Sequence, residues 1–449
     1  MHCLNMGDVA MLQVAVGRLR SLWPAEKLRV FTSDPAALGR YCPGVEPIVL
    51  PDQPDWCTDH YFAGRLHTYL TVTLSERLVG LNVTIACRLP TLRERLLRLR
   101  TALRRRDRQS FHDFLEAVEG SRLVLVSGAG GVGDPFSAYS NLVLLALQCA
   151  VRRGIPTAMV SHGFAPLTSP NLRAKAAAIL PKVDFIALRE ERASRPLLTS
   201  LGVPLERVAT TGDDAIELAY GARREELGTA IGINFRVARA AGTTDADIHG
   251  VAKGVQQFAS RVDASLIPLP IARQRNLDAN AIRLLLSEFA NADNGRPDPD
   301  TPLKVIEQVA RCRIVVTGAY HAAVFALAQG IPAVCLARSQ YSMNRFLGLA
   351  DQFRCGGCYV VSLDDVDVSR RVAATMASAW EETERVRNPL RSAAARQIGL
   401  GHEAYDGIQT VLEHSDALGA RRRGVASHKG TKEDTRRERI AGARIGRTY

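Results

Sequence analysis

Along most of the chain, short aliphatic and β-branched runs alternate with longer stretches of helical period. Segments 28–33 (LRVFTS), 122–127 (RLVLVS), 156–161 (PTAMVS), 183–188 (VDFIAL) and 207–212 (RVATTG) are mainly apolar and of strand length, as expected of strands covered on both faces. Between them lie segments such as 140–154, SNLVLLALQCAVRRG, of helical length and closed by glycine. This alternation predicts parallel strands joined by right-handed helical crossovers.

A charged stretch at 221–228 (GARREELG) interrupts the pattern, which restarts with 229–235 (TAIGINF), 263–269 (DASLIPL), 313–318 (RIVVTG) and 331–336 (IPAVCL). The expected fold is α/β, with two Rossmann-like doubly wound domains facing an interdomain cleft. The domains are expected at 1–222 and 228–369. Helices over 370–415 would return to brace the first domain, and a basic, disordered tail would occupy 416–449. The opening MHCLNMGDVAML begins on a helix start, so the first strand of the N-terminal domain is expected to be missing.

The 449 residues are 46% hydrophobic, and no apolar run approaches the ~20 residues that span a bilayer. With no signal-peptide pattern at the start, a cytoplasmic protein is expected. The nine cysteines are scattered, against a disulfide framework. Cys355 and Cys358 form the single C-x-x-C, read as a turn with two bystander thiols, with a redox or metal role as the alternative. The net charge of +12 is concentrated in two places. Residues 421–449 carry ten Lys/Arg against three acids, and 93–108 (RERLLRLRTALRRRDR) carries eight arginines against two acids. The second cluster reads as a solvated basic helix or as one attracted to an anionic membrane or substrate. Neither cluster holds aromatic residues for stacking on bases, so no nucleic acid is expected.

Candidate chemistry lies at strand ends. Gly128, Gly130 and Gly133 have G-x-G-x-x-G spacing, but Asp-Pro follows and the next strand ends in SHGFAP with no ribose-binding acid. The loop is therefore read as a close approach of backbone to a ligand in the cleft. Asn5, Gly7 and Asp8 open a helix, where backbone N–H groups hold an anion or Asp8 caps the helix. His162 ends one strand, and His321 follows a strand of the second half, so the two could face one cleft. Arg189 reads as an anion ligand or as a partner of Glu190 or Glu191. Arg236 ends the first strand of the second half, suited to phosphate or carboxylate.

Taken in order, N-x-G-D, SGAGGVGD, SHGFAP, LREERASRPLLTSLGV, TTGDDA, IGINFR and GAYHAAVFALAQGIPAVCLARSQYSMNRFL resemble the polysaccharide pyruvyl transferase family across roughly residues 5–365. That resemblance implies a GT-B-like fold and transfer of the pyruvyl group of phosphoenolpyruvate to two sugar hydroxyls, forming a cyclic ketal. It places Asn5, Gly7 and Asp8 in a glycan-side loop, and Gly128, Gly130 and Gly131 in the family's glycine-rich loop. His162 falls where members carry Gln or His. Arg189 matches the Arg of R-D/E-x-x-S, with Ser194 displaced, Asp213 the Asp of D-P-A, and His321 the His of R-x-H. Two positions depart: Ala319 replaces the Arg of R-x-H, and Asn344 replaces a lysine, with Arg345 beside it.

A trianionic donor needs converging cations, for which Arg189, Arg236 and Arg345 are candidates. His321 is the first candidate for phosphate contact or general acid, His162 the second, and Asp8 for base on a sugar hydroxyl. No metal or cofactor is expected beyond phosphoenolpyruvate as co-substrate. The acceptor would be a glycan or lipid-linked glycan, with peripheral contact to the inner membrane face. The alternatives are a GT-B glycosyltransferase using a nucleotide sugar, and a non-catalytic member whose donor site has decayed.

Overall fold

The computed structural model describes residues 5–58, 72–128, 130–164, 166–235, 243–273, 277–286 and 299–442. The first half runs α1 (Met6–Leu22), β1 (Arg29–Thr32), α2 (Pro35–Tyr41), β2 (Glu46–Val49), α3 (Val72–Arg88), α4 (Pro90–Leu103), α5 (Arg105–Glu119), β3 (Val124–Val126), α6 (Ser137–Arg153), β4 (Thr157–His162), α7 (Pro170–Ile179), β5 (Phe185–Leu188), α8 (Ser194–Ser200), β6 (Val208–Thr210) and α9 (Ala215–Gly221). The second runs β7 (Ala230–Asn234), α10 (Asp245–Val262), β8 (Leu266–Pro268), α11 (Leu277–Leu286), α12 (Pro302–Val309), β9 (Cys312–Thr317), α13 (Tyr320–Ala328), β10 (Ala333–Ala337), α14 (Gln340–Phe353) and β11 (Cys358–Ser362). A last helix, α15, spans Val368–Gly442.

All strand pairs in the described residues are parallel, as the alternation predicted. The second half forms one sheet in the order β11-β10-β9-β7-β8, whose order reverses between β7 and β9. The first half forms a sheet β3-β4-β5-β6 and a separate pair β1-β2. Strands β1 and β3 are only partly buried, whereas β4 is buried throughout.

Asn5 starts α1 by accepting hydrogen bonds from the N–H groups of Gly7 and Asp8 through Oδ1 at 2.9 and 3.4 Å, a side-chain N-cap. The helix then packs on both halves. Met6, Val9, Ala10 and Leu12 share a core with Ala215 and Ile216 of α9 and Ala319, Ala322 and Ala323 of the second half. The backbone N–H of Met6 also donates to Ile271 O at 2.9 Å. Helix α1 is therefore the wedge that holds the halves together.

Helix α15 carries buried residues at 372, 376, 379, 383, 386, 390, 393 and 397, then 404, 408 and 412, a stripe along one face. Its first part covers α10 and the five-stranded sheet, while Tyr405 and Ile408 pack with Ala15, Ala158 and Val160 of the first half. The Arg387 guanidinium donates to the carbonyls of Arg224 and Glu226, pinning the charged linker. Beyond residue 415, where the charge pattern suggested disorder, the backbone of α15 continues helical to Gly442. The C-x-x-C segment bends through Gly356 and Gly357 into Cys358, the first residue of β11, whose Sγ lies 3.8 Å from that of Cys335 on β10.

Candidate active site

Strand ends from both halves converge at the cleft, where open parallel sheets place their ligands. Arg189 follows β5, Asp213 follows β6, His162 ends β4, and His321 stands in the first turn of α13 after β9. Asp213 is the hub. Its Oδ1 accepts from the N–H of Ala215 at 3.0 Å. Its Oδ2 lies 3.6 Å from His321 Nε2 and 3.5 Å from Arg189 Nη1, ion-pair spacings slightly beyond hydrogen-bonding reach. Burial alone would raise the Asp213 carboxyl, but the His321 ring and the Arg189 guanidinium hold it below its ordinary value. The site thus keeps a carboxylate between an imidazole and a fixed cation.

His321 is held on three sides. A Cβ on Gly7 would fall inside its ring, so only glycine lets the helix pass. Met11 Sδ lies 3.3 Å from Nε2, and the Phe325 ring is 6.3 Å away. Arg189 is equally confined. Cβ atoms on Gly130 and Gly163 would collide with its guanidinium from two loops, so glycine at both positions leaves room for Arg189. The guanidinium lies 4.3 Å from the ring centroid of Tyr320, and Arg345 lies 5.7 Å from the same ring and 4.4 Å from that of Tyr341. Tyr341 Oη donates to Gly130 O at 3.0 Å, tying α14 to the glycine loop. Two arginines from opposite halves therefore meet at one tyrosine.

Neither Glu190 nor Glu191 hydrogen-bonds Arg189, although the Glu190 charge still favours its charged form. Glu190 accepts from the N–H groups of Ala193 and Ser194 and from Ser194 Oγ, while Glu191 accepts from Thr210 and Arg195. Ser194 Oγ in turn accepts from the N–H of Phe164 at 3.2 Å, bracing the loop after β4. His162 is fully buried against Phe164, with neither ring nitrogen hydrogen-bonded within the chain. Burial and then the charge of Arg189 pull its pKa down to about 3. The residue before it, Ser161, takes a left-handed φ of 51°, secured by its Oγ accepting from the N–H of Asp214 at 2.7 Å. Arg189 Nε, Asp213 Oδ2 and Tyr320 Oη are likewise buried without hydrogen bonds. Such a concentration of unsatisfied buried polar atoms makes this cleft the candidate site.

The remaining residues expected at the site distribute as follows. Asn5 spends its carboxamide on capping α1, and Asp8 is half-buried in the first turn of α1. Gly128 backs onto Met11 and Ser161, and Gly131 onto the ring of Tyr139. Arg236 lies outside the described residues. Ala319 caps α13 as a buried residue, with its N–H donating to Thr317 Oγ1 at 2.8 Å. Asn344 accepts from Gln340 Nε2, leaving Arg345 as the cation of that turn facing the tyrosines. Sequence reasoning missed Tyr320 and Tyr341, and assigned Asp213 no chemistry. It also missed buried Asp278, which accepts from the N–H groups of Ile271 and Ala272 and from Asn234 Nδ2 and so shapes the loop beneath Asn5. Among the described residues, the group spaced to hold a metal ion is His112, Asp113 and Glu116 on α5, none of which belongs to this site.

The whole chain is similar in fold to solved sugar-nucleotide enzymes. UDP-GlcNAc 2-epimerase from Neisseria meningitidis, bound to UDP-GlcNAc, superposes with a TM-score of 0.53 at 13% identity, covering 90% of this chain and 96% of that one. The S. aureus MnaA–UDP structure gives 0.50 at 14% identity, over 88% and 91%. A glycosyltransferase from Rickettsia africae gives 0.50 at 10% identity, over 91% and 94%. These likenesses confirm a GT-B-type arrangement of two parallel α/β halves. No curated protein matches in sequence. The family model for polysaccharide pyruvyl transferase matches residues 5–340, a span that contains Gly7, the glycine loop, Arg189, Asp213 and His321. The chain belongs to the polysaccharide pyruvyl transferase family.

Proposed function

We propose that this transferase moves the pyruvyl group of phosphoenolpyruvate onto two hydroxyls of a sugar in a cell-surface polysaccharide or its lipid-linked precursor. The observation that carries this reading is the meeting of Arg189 and Arg345 at Tyr320, beside the Asp213–His321 pair. Phosphoenolpyruvate presents a phosphate and a carboxylate, and guanidinium groups bind the oxygens of both in bidentate fashion. Arg345 stands in for the family lysine replaced by Asn344, and Arg236 is a third candidate for the donor.

In this reading a proton is delivered to the methylene carbon of the donor, which becomes a methyl group. One sugar hydroxyl adds to the adjacent carbon, phosphate departs, and the second hydroxyl closes the ketal. Each hydroxyl gives up one proton, so one balances the new methyl group and the other leaves with phosphate or solvent. His321, oriented by Asp213, handles the proton at the donor. Asp8 is the candidate base for a sugar hydroxyl, at the start of α1 where Asn5 caps the helix and Gly7 packs on His321. His162, fully buried and with its pKa pulled down to about 3, is neutral at pH 7 and is not the proton shuttle. The reaction would take place in the cytoplasm, at the inner membrane face.

Phosphate release from phosphoenolpyruvate, measured with and without glycan acceptors, tests this. Acceptor-dependent phosphate release with a new ketal carbon in the NMR spectrum of the product supports it. Turnover of a nucleotide sugar instead would favour a glycosyltransferase on the same fold. Neither activity, with donor binding regained in Ala319→Arg, would favour a decayed donor site.

A further inference from the structure

Helices α3 and α4 form a hairpin on the outer face of the first half, and it carries an unusual surface. Seven of the fifteen large hydrophobic side chains exposed among the described residues lie between 74 and 103. On α3, Leu74, Leu78 and Leu81 recur at i, i+4 and i+7, and are 38–56% exposed. On α4, Leu92, Leu99 and Leu103 recur at i, i+7 and i+11, the last 79% exposed. Each set lies on one helix face. The cores of these helices are satisfied elsewhere: Val79, Val83 and Ala86 of α3 and Leu97 of α4 are buried.

The charge on this hairpin is predominantly positive, with Glu76 its exposed acid. Residues 72–104 hold seven arginines and two glutamates. Of the two acids, Glu94 is turned inward, where it accepts from Arg98, Arg152 and Arg153. Arg88 and Arg95 are exposed beside the leucines. No described helix is long and apolar enough to cross a membrane.

We infer that the α3–α4 hairpin is the surface on which the protein sits on an anionic lipid bilayer, with the leucines entering the acyl boundary and the arginines meeting headgroup phosphates. A second copy of the chain is the poorer occupant, because it would bring two arginine-rich faces together, whereas interface cores are depleted of charge. This deepens the membrane contact of the proposed function, yet stands on the hairpin alone. Lipid binding is read without turnover, so failure here leaves the donor site untouched.

The test is co-sedimentation of the full chain with phosphatidylcholine vesicles, with and without phosphatidylglycerol, at low and high salt. Wild type is expected to bind the anionic vesicles and to lose binding as salt rises. The triple variant Leu81→Ser, Leu99→Ser, Leu103→Ser and the pair Arg88→Glu, Arg95→Glu are each expected to lower the bound fraction at least ~10-fold with an unchanged melting temperature. Undiminished binding in both variants would move the contact elsewhere, for instance to the basic terminal segment, and overturn the assignment. So would equal binding to neutral vesicles, or a wild-type dimer without lipid affinity that the leucine variant splits into monomers.

Discussion

The imidazole of His321 occupies the space a Cβ on Gly7 would need. The two residues are far apart in the chain, on α1 and α13, and their contact couples the wedge between the halves to the candidate proton-transfer group. The N-x-G-D segment thus owes its glycine to packing at the site.

Gly7→Ala is expected to destabilise the protein by about 1–3 kcal/mol, the usual range for overpacking, although alanine is the better helix former. In a His321→Ala background the same change is expected to cost little, since the clash is gone. Thermal melts of the four proteins in this double-mutant cycle check the point. Additive effects would mean that the ring can move aside freely.

Asp213→Asn retains the shape of the side chain but removes the carboxylate paired with the Arg189 cation in a buried site, leaving only the more distant Glu190 as counter-charge. Turnover is expected to fall on the order of 10²- to 10⁴-fold. Stability is expected to drop by up to about 3–5 kcal/mol, as when one partner of a buried pair is removed. Steady-state rates together with denaturant melts separate the two effects.

Arg345 is half-exposed and packs on Tyr341, so Arg345→Ala is expected to leave the melting temperature nearly unchanged. Donor affinity is expected to weaken by about 10- to 100-fold, the scale of a hydrogen bond to a charged group. Arg189→Lys is expected to weaken affinity and stability together, because its guanidinium fills a slot between two glycine loops. Anion titrations of each variant distinguish them.

The pH dependence of stability should carry the mark of His162. Its pKa is about 3 in the folded protein against an ordinary 6.5, so between those values the unfolded chain binds a proton that the native chain does not. Stability therefore rises with pH across that window and is lost as pH falls through it, by up to about 5 kcal/mol. His162→Gln is expected to flatten the slope. Asp214, pushed up to about 6 chiefly by burial and opposed by Arg18, contributes with the opposite sign between about pH 4 and 6. The wild-type-minus-variant difference isolates the histidine.

Much of this was legible in the sequence, because buried parallel strands announce themselves as apolar runs. Nine of the strands follow from such runs. The two that do not, β2 and β11, are edge strands with partly exposed faces, and β2 contains Pro47. Arg189 and His321 were legible as polar residues directly after strands. Their partnership through Asp213 was not, because it depends on how β6 of one half meets α13 of the other. Tyr320 and Tyr341 read as ordinary helix residues, and only the packing of the two halves turns them into a platform for two arginines. The α3–α4 surface was half legible, since the arginines of α4 stand out in the sequence but the leucines face outward only in the folded hairpin.

The cleft between the halves is proposed to bind phosphoenolpyruvate through a site containing His321. Calorimetric titration of phosphoenolpyruvate into wild type and His321→Ala tests it directly. Micromolar binding to wild type that vanishes in the variant is expected. No binding at millimolar phosphoenolpyruvate, with heat released on adding UDP-GlcNAc instead, would contradict it.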